Sequence, residues 1–215
     1  MTIDVPEILK PRWRGVLHQY AFFVAVILGA ALVIAAEGGR ARIAAFVYAF
    51  GLAGLLGTSA LYHRVTWASQ RARMWMRRLD HSMIFVLIAG TATPIALLVL
   101  ENPLRTVLLC VAWGGALAGV ALSLLWPTAP KWVSSVAYLT VGWAGATAVP
   151  SLAGYAWTAF ALLAAGGVLY TAGAVIYALG RPNPAPKVFG YHEIFHALVV
   201  VAAALHFAAV GIVVL

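Results

Sequence analysis

The sequence predicts an all-α membrane protein with seven transmembrane helices, a cytoplasmic amino terminus and a carboxyl terminus outside. The 215 residues are 64% hydrophobic and only 9% charged, whereas a soluble domain is typically about 25% charged. So few charged side chains cannot cover a water-facing surface. A spanning helix needs roughly 20 apolar residues, so six to eight spans would use nearly the whole chain. We therefore expect residues 1–215 to form a single membrane domain.

Seven long apolar runs are separated by residues that typically end helices. The runs are unbroken, whereas the strands of a membrane barrel alternate apolar and polar residues. Glycine, proline and asparagine mark the boundaries, as in the PNPAP segment at 182–186. The runs cover residues 15–36, 43–62, 83–100, 104–126, 133–152, 155–179 and 195–215.

Basic residues divide unequally between the two sides of the predicted helices. Eleven of the 14 lysines and arginines precede the first run or lie in even-numbered connections, and three lie on the opposite side. Cytoplasmic loops carry the excess of Lys and Arg, so residues 1–14 are expected to be a short cytoplasmic segment. The net charge of +8 is interpreted as this topology signal, and the weaker alternative is a nucleic-acid surface.

The longest predicted connection is a basic loop at residues 64–79. It contains Arg71, Arg73, Arg77 and Arg78 among tryptophan and methionine residues. This composition is typical of an interfacial segment that lies on an anionic leaflet. A calmodulin-like or nucleic-acid target is the less favoured alternative.

Histidines lie at the predicted cytoplasmic ends of two helices, with an acid at the end of a third. His63 closes the second run, and Ser59 is four residues before it, so both side chains share one helix face. Asp80 opens the third run. His192 and His196, also four residues apart, open the seventh. The predicted topology therefore brings these five residues to one membrane depth, where ionisable groups often mark functional sites.

This group has the composition of a metal site. Two histidines four residues apart on a helix often bind a divalent metal, and three protein ligands with an open position are typical of catalytic zinc. Iron, copper and nickel also accept imidazole, and the HxxxH pair alone could instead bond to water or lipid headgroups. Asp80 could hold a water, orient a histidine or cap its helix. Ser59 could stabilise an oxyanion or bond to a backbone carbonyl.

The remaining polar residues are interpreted separately. Glu193 points away from the neighbouring histidine by about 100° and is left out of the ligand set. His206 lies roughly 21 Å further along the same helix, where we expect a buried, hydrogen-bonded side chain. The single cysteine, Cys110, is expected to be a buried thiol. No role is assigned to His18 or His81.

Three signatures are specific in their length and order. They are Ser59-Ala-Leu-Tyr-His63, the segment DHSMIFVLIAGTATP from Asp80 to Pro94, and Gly190-Tyr-His-Glu-Ile-Phe-His196 leading to His206-Phe207. From Lys10 onward the chain resembles the bacterial hemolysin III proteins, within the progestin and adiponectin receptor (PAQR) family. Ala92 departs from the pattern, since bacterial relatives often have tyrosine there, but this position is away from the metal ligands.

The resemblance implies seven helices with a cytoplasmic amino terminus and a place in the bacterial inner membrane. It also implies a zinc ion held by His63, His192 and His196, with Asp80 as a water-holding acid and Ser59 nearby. Receptor members and the related alkaline ceramidases are viewed as zinc-dependent lipid amide hydrolases. We therefore expect a zinc-dependent hydrolase of a lipid amide or ester that contributes to membrane homeostasis, with membrane lipids as partners and no nucleic acid.

Two other functions remain open at this point. The first is a non-enzymatic regulator or receptor-like protein of the membrane, in which the zinc is structural and joins the second and seventh spans. The second is a pore-forming hemolysin. The pore is the weakest of the three hypotheses, because no span carries the repeated polar stripe of a water-lined channel.

Overall fold

The computed structural model describes residues 11–215, which form eight α-helices and one 3-10 helix. Most of the predicted cytoplasmic segment 1–14 therefore lies outside the described residues. The 3-10 helix, Ala144–Ala148, connects α5 to α6. The α-helices are α1 (Val16–Ala35), α2 (Gly39–Arg64), α3 (Gln70–Leu98), α4 (Leu104–Leu125), α5 (Lys131–Trp143), α6 (Val149–Tyr155), α7 (Trp157–Leu179) and α8 (Tyr191–Val214).

Six helices are long and apolar enough to cross a membrane: α1, α2, α3, α4, α7 and α8. Their outer faces expose large apolar side chains such as Phe23 and Leu117, which suit lipid as the surrounding solvent. Cys110 is also exposed, so the prediction of a buried thiol was wrong. The described part of the chain contains no β-strand, only an isolated bridge between Ala185 and Phe189. The all-α, multi-pass architecture is confirmed.

The segment predicted to be the fifth span is divided into three pieces. α5 has 13 residues and α6 has seven, and neither is among the six helices that could span by length. The break has a local cause, because Gly142 and Gly145 weaken a helix. Pro150 lacks the N–H that a helix interior needs and lies in the first turn of α6. A seventh crossing is therefore not confirmed by helix length.

The basic segment at residues 64–79 is not the loop that the sequence suggested. α2 continues to Arg64 and α3 begins at Gln70, so only residues 65–69 connect them. Ser69 caps α3, since its side chain accepts a hydrogen bond of 3.2 Å from the Ala72 N–H. Arginine, methionine, leucine and alanine, which fill the next turns, are strong helix formers. The prediction of a loop was wrong, because charges indicate where a segment lies, whereas propensity and capping decide its local conformation. The location of this segment at the membrane interface stays a prediction.

Small residues let the long helices approach one another closely. A Cβ at Gly90 of α3 would lie 3.2 Å from the Val47 carbonyl oxygen of α2. In α4, Gly119 lies against the Phe85 ring of α3, and Gly115 faces α5. The Gly115-xxx-Gly119 pair therefore serves packing within the chain.

The start of α1, the end of α2 and the start of α8 lie together at one end of the bundle. The N–H of Arg12 donates to the carbonyl oxygen of Lys187, and the N–H of Trp13 donates to that of Val188, each over 3.2 Å. These bonds join the chain before α1 to the chain before α8. The five candidate site residues lie at this end: Ser59, His63, Asp80, His192 and His196.

Candidate metal centre

Three histidines meet at this end of the bundle, one from the last turn of α2 and two from the first turns of α8. One ring nitrogen each of His63, His192 and His196 lies within 4.8 Å of the other two. The Nε2 atoms of His63 and His192 are 3.2 Å apart. Nitrogens bound at about 2.0–2.1 Å to a tetrahedral zinc would be ~3.3 Å apart. The three side chains therefore lie close enough to hold one metal ion.

The surroundings of the histidines also fit a metal ligand set. His63 and His196 are buried, and His192 is partly buried. The Nδ1 atom of His196 has no hydrogen-bond partner among the described residues. A buried polar nitrogen costs free energy unless something satisfies it, and neutral imidazole is a good ligand for zinc, copper, iron and nickel. The donor set thus suits a divalent transition metal.

Asp80 lies beside the three histidines, well inside α3. Its Oδ2 atom is 3.8 Å from Nε2 of His63. Because α3 begins at Gln70 and Ser69 provides its cap, the alternative role of Asp80 as a helix cap is excluded. The carboxylate is mostly buried and lines the same cavity as His196, so it can act on a molecule held at the site.

Ser59 is linked to the histidine cluster by His18, a residue to which the sequence analysis assigned no role. Its hydroxyl is hydrogen bonded to Nδ1 of His18 at 2.8 Å, and both side chains are buried. The His18 ring stacks on His196 with centroids 3.8 Å apart and an interplanar angle of 11°. Sequence reasoning missed His18, although its position at the start of the first span gives it the same membrane depth as His63.

The remaining candidates take other roles. Glu193 is buried and forms an ion pair with Arg14, so it does not join the ligands. His206 is hydrogen bonded to the carbonyl oxygen of Leu163 at 3.1 Å, as predicted, but its side chain is only partly buried. His81 bonds through Nδ1 to the backbone carbonyl one turn before it. Each of these three groups therefore has a hydrogen-bond partner outside the histidine cluster.

A cavity of about 460 Å³ extends from the histidines into the bundle. Asp80 and His196 line it at one end, and Leu152 and Phe160 line it near the start of α7, at the opposite end of the bundle. Most of the side chains between them are apolar. A volume in this range is typical of small-molecule sites, and the lining suits an apolar chain with its polar group beside the histidines.

Fold and site together define a multi-pass membrane protein with a buried three-histidine cluster at one end of its helical bundle. The sequence model of the family described as Haemolysin-III related matches residues 7–207. The chain therefore belongs to the Haemolysin-III related family. Its family and its six apolar helices make it a multi-pass membrane protein, consistent with a place in the bacterial inner membrane.

Individual relatives come from bacteria and mammals. The chain is 32% identical over 179 residues to the Hemolysin-3 homolog of Bacillus subtilis (strain 168), which covers 82% of this chain and 80% of that protein. It is 34% identical to Hemolysin-3 of Bacillus cereus over 130 residues, 60% of this chain and 57% of that protein. The human Monocyte to macrophage differentiation factor is 27% identical over 196 residues, 90% of this chain and 79% of that protein.

Proposed function

We propose that this protein is a zinc-dependent membrane hydrolase that cleaves a lipid amide or ester and so contributes to membrane homeostasis. One observation carries the proposal. Three histidine nitrogens lie within 4.8 Å of one another, with the Asp80 carboxylate 3.8 Å from His63, at the end of an apolar cavity. Three ligands with a nearby acid are typical of hydrolytic zinc sites.

His63, His192 and His196 would hold the ion. When bound, zinc supplies Lewis-acid chemistry, which acidifies water and polarises a carbonyl oxygen. The cluster joins two helices that are far apart in the sequence, and His63 and His196 are buried. The packing of α2 against α8 would therefore maintain the ligand geometry when substrate enters.

Asp80 would supply the proton transfer. Its carboxylate would orient the attacking water and take a proton at one oxygen. The water oxygen bonds to the carbonyl carbon, the bond from that carbon to the leaving nitrogen or oxygen breaks, and the proton passes from Asp80 to the leaving group. Ser59 would donate its hydroxyl proton towards the developing oxyanion, since Nδ1–H of His18 can donate to the same oxygen.

The cavity favours a lipid as the substrate. Apolar walls exclude water and would hold an acyl chain along the bundle, with the amide or ester group beside Asp80. A lipid in the surrounding leaflet is available at high local concentration. Membrane lipids are therefore the proposed partners, and the basic turns at the start of α3, where Arg71 and Arg73 are exposed, would contact anionic headgroups at the interface.

We also propose seven crossings with the amino terminus inside and the carboxyl terminus outside. The contact of His192 with His63 supports this topology, because α8 then begins at the end of the bundle where α2 ends. α3 and α4 make two crossings between them, and α7 must end where α8 begins. The piece formed by α5, the 3-10 helix and α6 would then have to cross as well. The excess of basic residues supports a cytoplasmic location for the shared end.

A structural metal is the second candidate function. His63 and His192 are separated by 129 positions in the sequence, so an ion held by both would tie α2 to α8 and could serve a regulator of membrane state without turnover. Metal removal would then lower the unfolding temperature while no lipid is converted. The hydrolase is preferred because Asp80 and the cavity have no purpose in a purely structural site.

The test combines metal analysis with one ligand variant. We expect purified protein to contain about one zinc per chain and to release fatty acid from a lipid amide. His196→Ala should lose both properties while keeping its helical circular dichroism. His206→Ala, which removes another α8 histidine far from the cluster, should keep the zinc. Folded wild-type protein that binds no metal would disprove the proposal, and stoichiometric zinc without turnover would favour the structural alternative.

A further inference from the structure

His18 lies in the candidate site, although neither metal binding nor proton transfer requires a histidine at this position. It lies in the first turn of α1, is 2% exposed and lines the same cavity as Asp80 and His196. Its Nε2 atom is also buried. An ionisable side chain in this position within a membrane protein is costly and needs a reason.

The contacts of His18 reach both halves of the candidate metal site. Nδ1 is hydrogen bonded to Ser59 at 2.8 Å, and Ser59 lies one turn before His63 on α2. The ring itself stacks on His196 of α8, nearly parallel and with centroids 3.8 Å apart. Stacking of this kind restricts the rotation of both rings. One side chain of α1 therefore contacts a polar group on α2 and a candidate ligand on α8.

The chain around His18 is held firmly against the same two helices. Gly15 has a φ of 77°, and a Cβ there would lie 2.6 Å from the Cβ of His63. Arg14 forms its ion pair with Glu193, the neighbour of His192. α1 therefore begins in contact with both ligand-bearing helices, and a shift of its first turn would move His18 relative to the cluster.

We propose that His18 is a positioning residue of the metal site, which orients the imidazole of His196 and the hydroxyl of Ser59. This inference rests on the proposed metal function of the cluster. His18 acts from outside the ligand set, because it is not among the three histidines whose nitrogens lie within 4.8 Å of one another. Groups that orient metal ligands typically contribute about 10–100-fold to metal affinity, and we expect an effect of this size.

The experiment measures Co²⁺ binding by purified, detergent-solubilised full-length protein. Co²⁺ reports ligand geometry through its visible absorption bands, and its affinity is obtained by competition with a chelator. We expect His18→Ala to weaken Co²⁺ binding about 10–100-fold and to change the absorption bands. The control is His206→Ala, which also removes a histidine that lines the cavity and should leave affinity and bands as in the wild type.

Two further variants separate the contacts of His18 and protect the test if His18→Ala does not fold. His18→Phe keeps an aromatic ring against His196 but loses the bond to Ser59. Ser59→Ala removes the same bond, together with the hydrogen bond of the Ser59 hydroxyl to Asp80. We expect each of these two variants to bind Co²⁺ more weakly than the wild type but more tightly than His18→Ala. Wild-type affinity and bands in the His18 variants would overturn the positioning role alone. Wild-type protein that binds no Co²⁺ would overturn the metal site together with it.

Discussion

At the residue scale, the ion pair between Arg14 and the buried Glu193 holds the start of α8 in place. Glu193 is 1% exposed, and its two carboxylate oxygens accept hydrogen bonds from Arg14 and from the N–H of Gly190. A buried carboxylate that loses its cation leaves an uncompensated charge. The ion pair therefore secures the start of α8, the helix that carries His192 and His196.

Removal of the cation should destabilise the protein. We expect Arg14→Met to lower the free energy of unfolding by about 3 kcal/mol, because the Glu193 carboxylate stays buried without its partner. The measurement is reversible unfolding in detergent. Arg12→Met removes an exposed arginine two positions earlier and should change little. The double variant Arg14→Met with Glu193→Met should recover much of the loss, and equal losses in all three variants would contradict this account.

Part of the site could be predicted from individual residues. Spacings of four positions place Ser59 with His63, and His192 with His196, on shared helix faces, and the structure brings these pairs together. His18 could not be assigned in the same way, because its role depends on a stacked ring and a hydrogen bond to two other helices. Such contacts leave no periodic pattern in the sequence.

At the scale of secondary structure, apolar runs predicted the six long helices, and local chemistry decided where they end. The third helix begins at Gln70 and not at residue 83, because Ser69 caps it and helix-forming residues follow. The fifth run is interrupted because it combines two glycines with Pro150. Hydrophobicity indicates which segments can lie in lipid, but it does not indicate where a helix begins or is interrupted.

Close packing of α4 against α3 gives a prediction for a single helix. We expect Gly119→Val to reduce the thermal stability strongly, because a Cβ at this position would meet the Phe85 ring in a tightly packed interior. Gly114→Val is a matched control on the same helix, since a Cβ there has nothing within 4 Å. Unfolding temperatures of the two variants should differ by several degrees. Equal temperatures would show that this contact does not limit stability.

At the scale of the whole molecule, the proposed topology requires the divided segment formed by α5, the 3-10 helix and α6 to cross the membrane. α8 begins beside the end of α2, as the His63–His192 contact requires. The proposed route from α4 to α7 therefore passes through the membrane, although α5 and α6 are each short. Half-helices of this kind are tolerated in membranes where the irregular backbone between them is covered by protein or lines a cavity, and Gly145 and Ala146 line the cavity here.

Site-directed labelling tests this crossing. In a background in which the exposed Cys110 is replaced by serine, cysteines are introduced singly at Thr128, between α4 and α5, and at Thr158, at the start of α7. We expect a membrane-impermeant maleimide to label Thr158→Cys in intact cells and Thr128→Cys only after lysis. Labelling of both sites from the same side would disprove the seventh crossing.

The amino-acid sequence alone was enough to predict that the protein lies in lipid, that its fold is all-α and which candidate ligands lie at one end of the molecule. These are local properties, because apolar runs of about 20 residues require lipid and a spacing of four residues defines a helix face. The contribution of His18 from α1, the pairing of Glu193 with Arg14 and the apolar cavity that leads to the histidines became visible only in the folded molecule. Each of these depends on how helices distant in the sequence pack, and packing is set by the shapes of many side chains together.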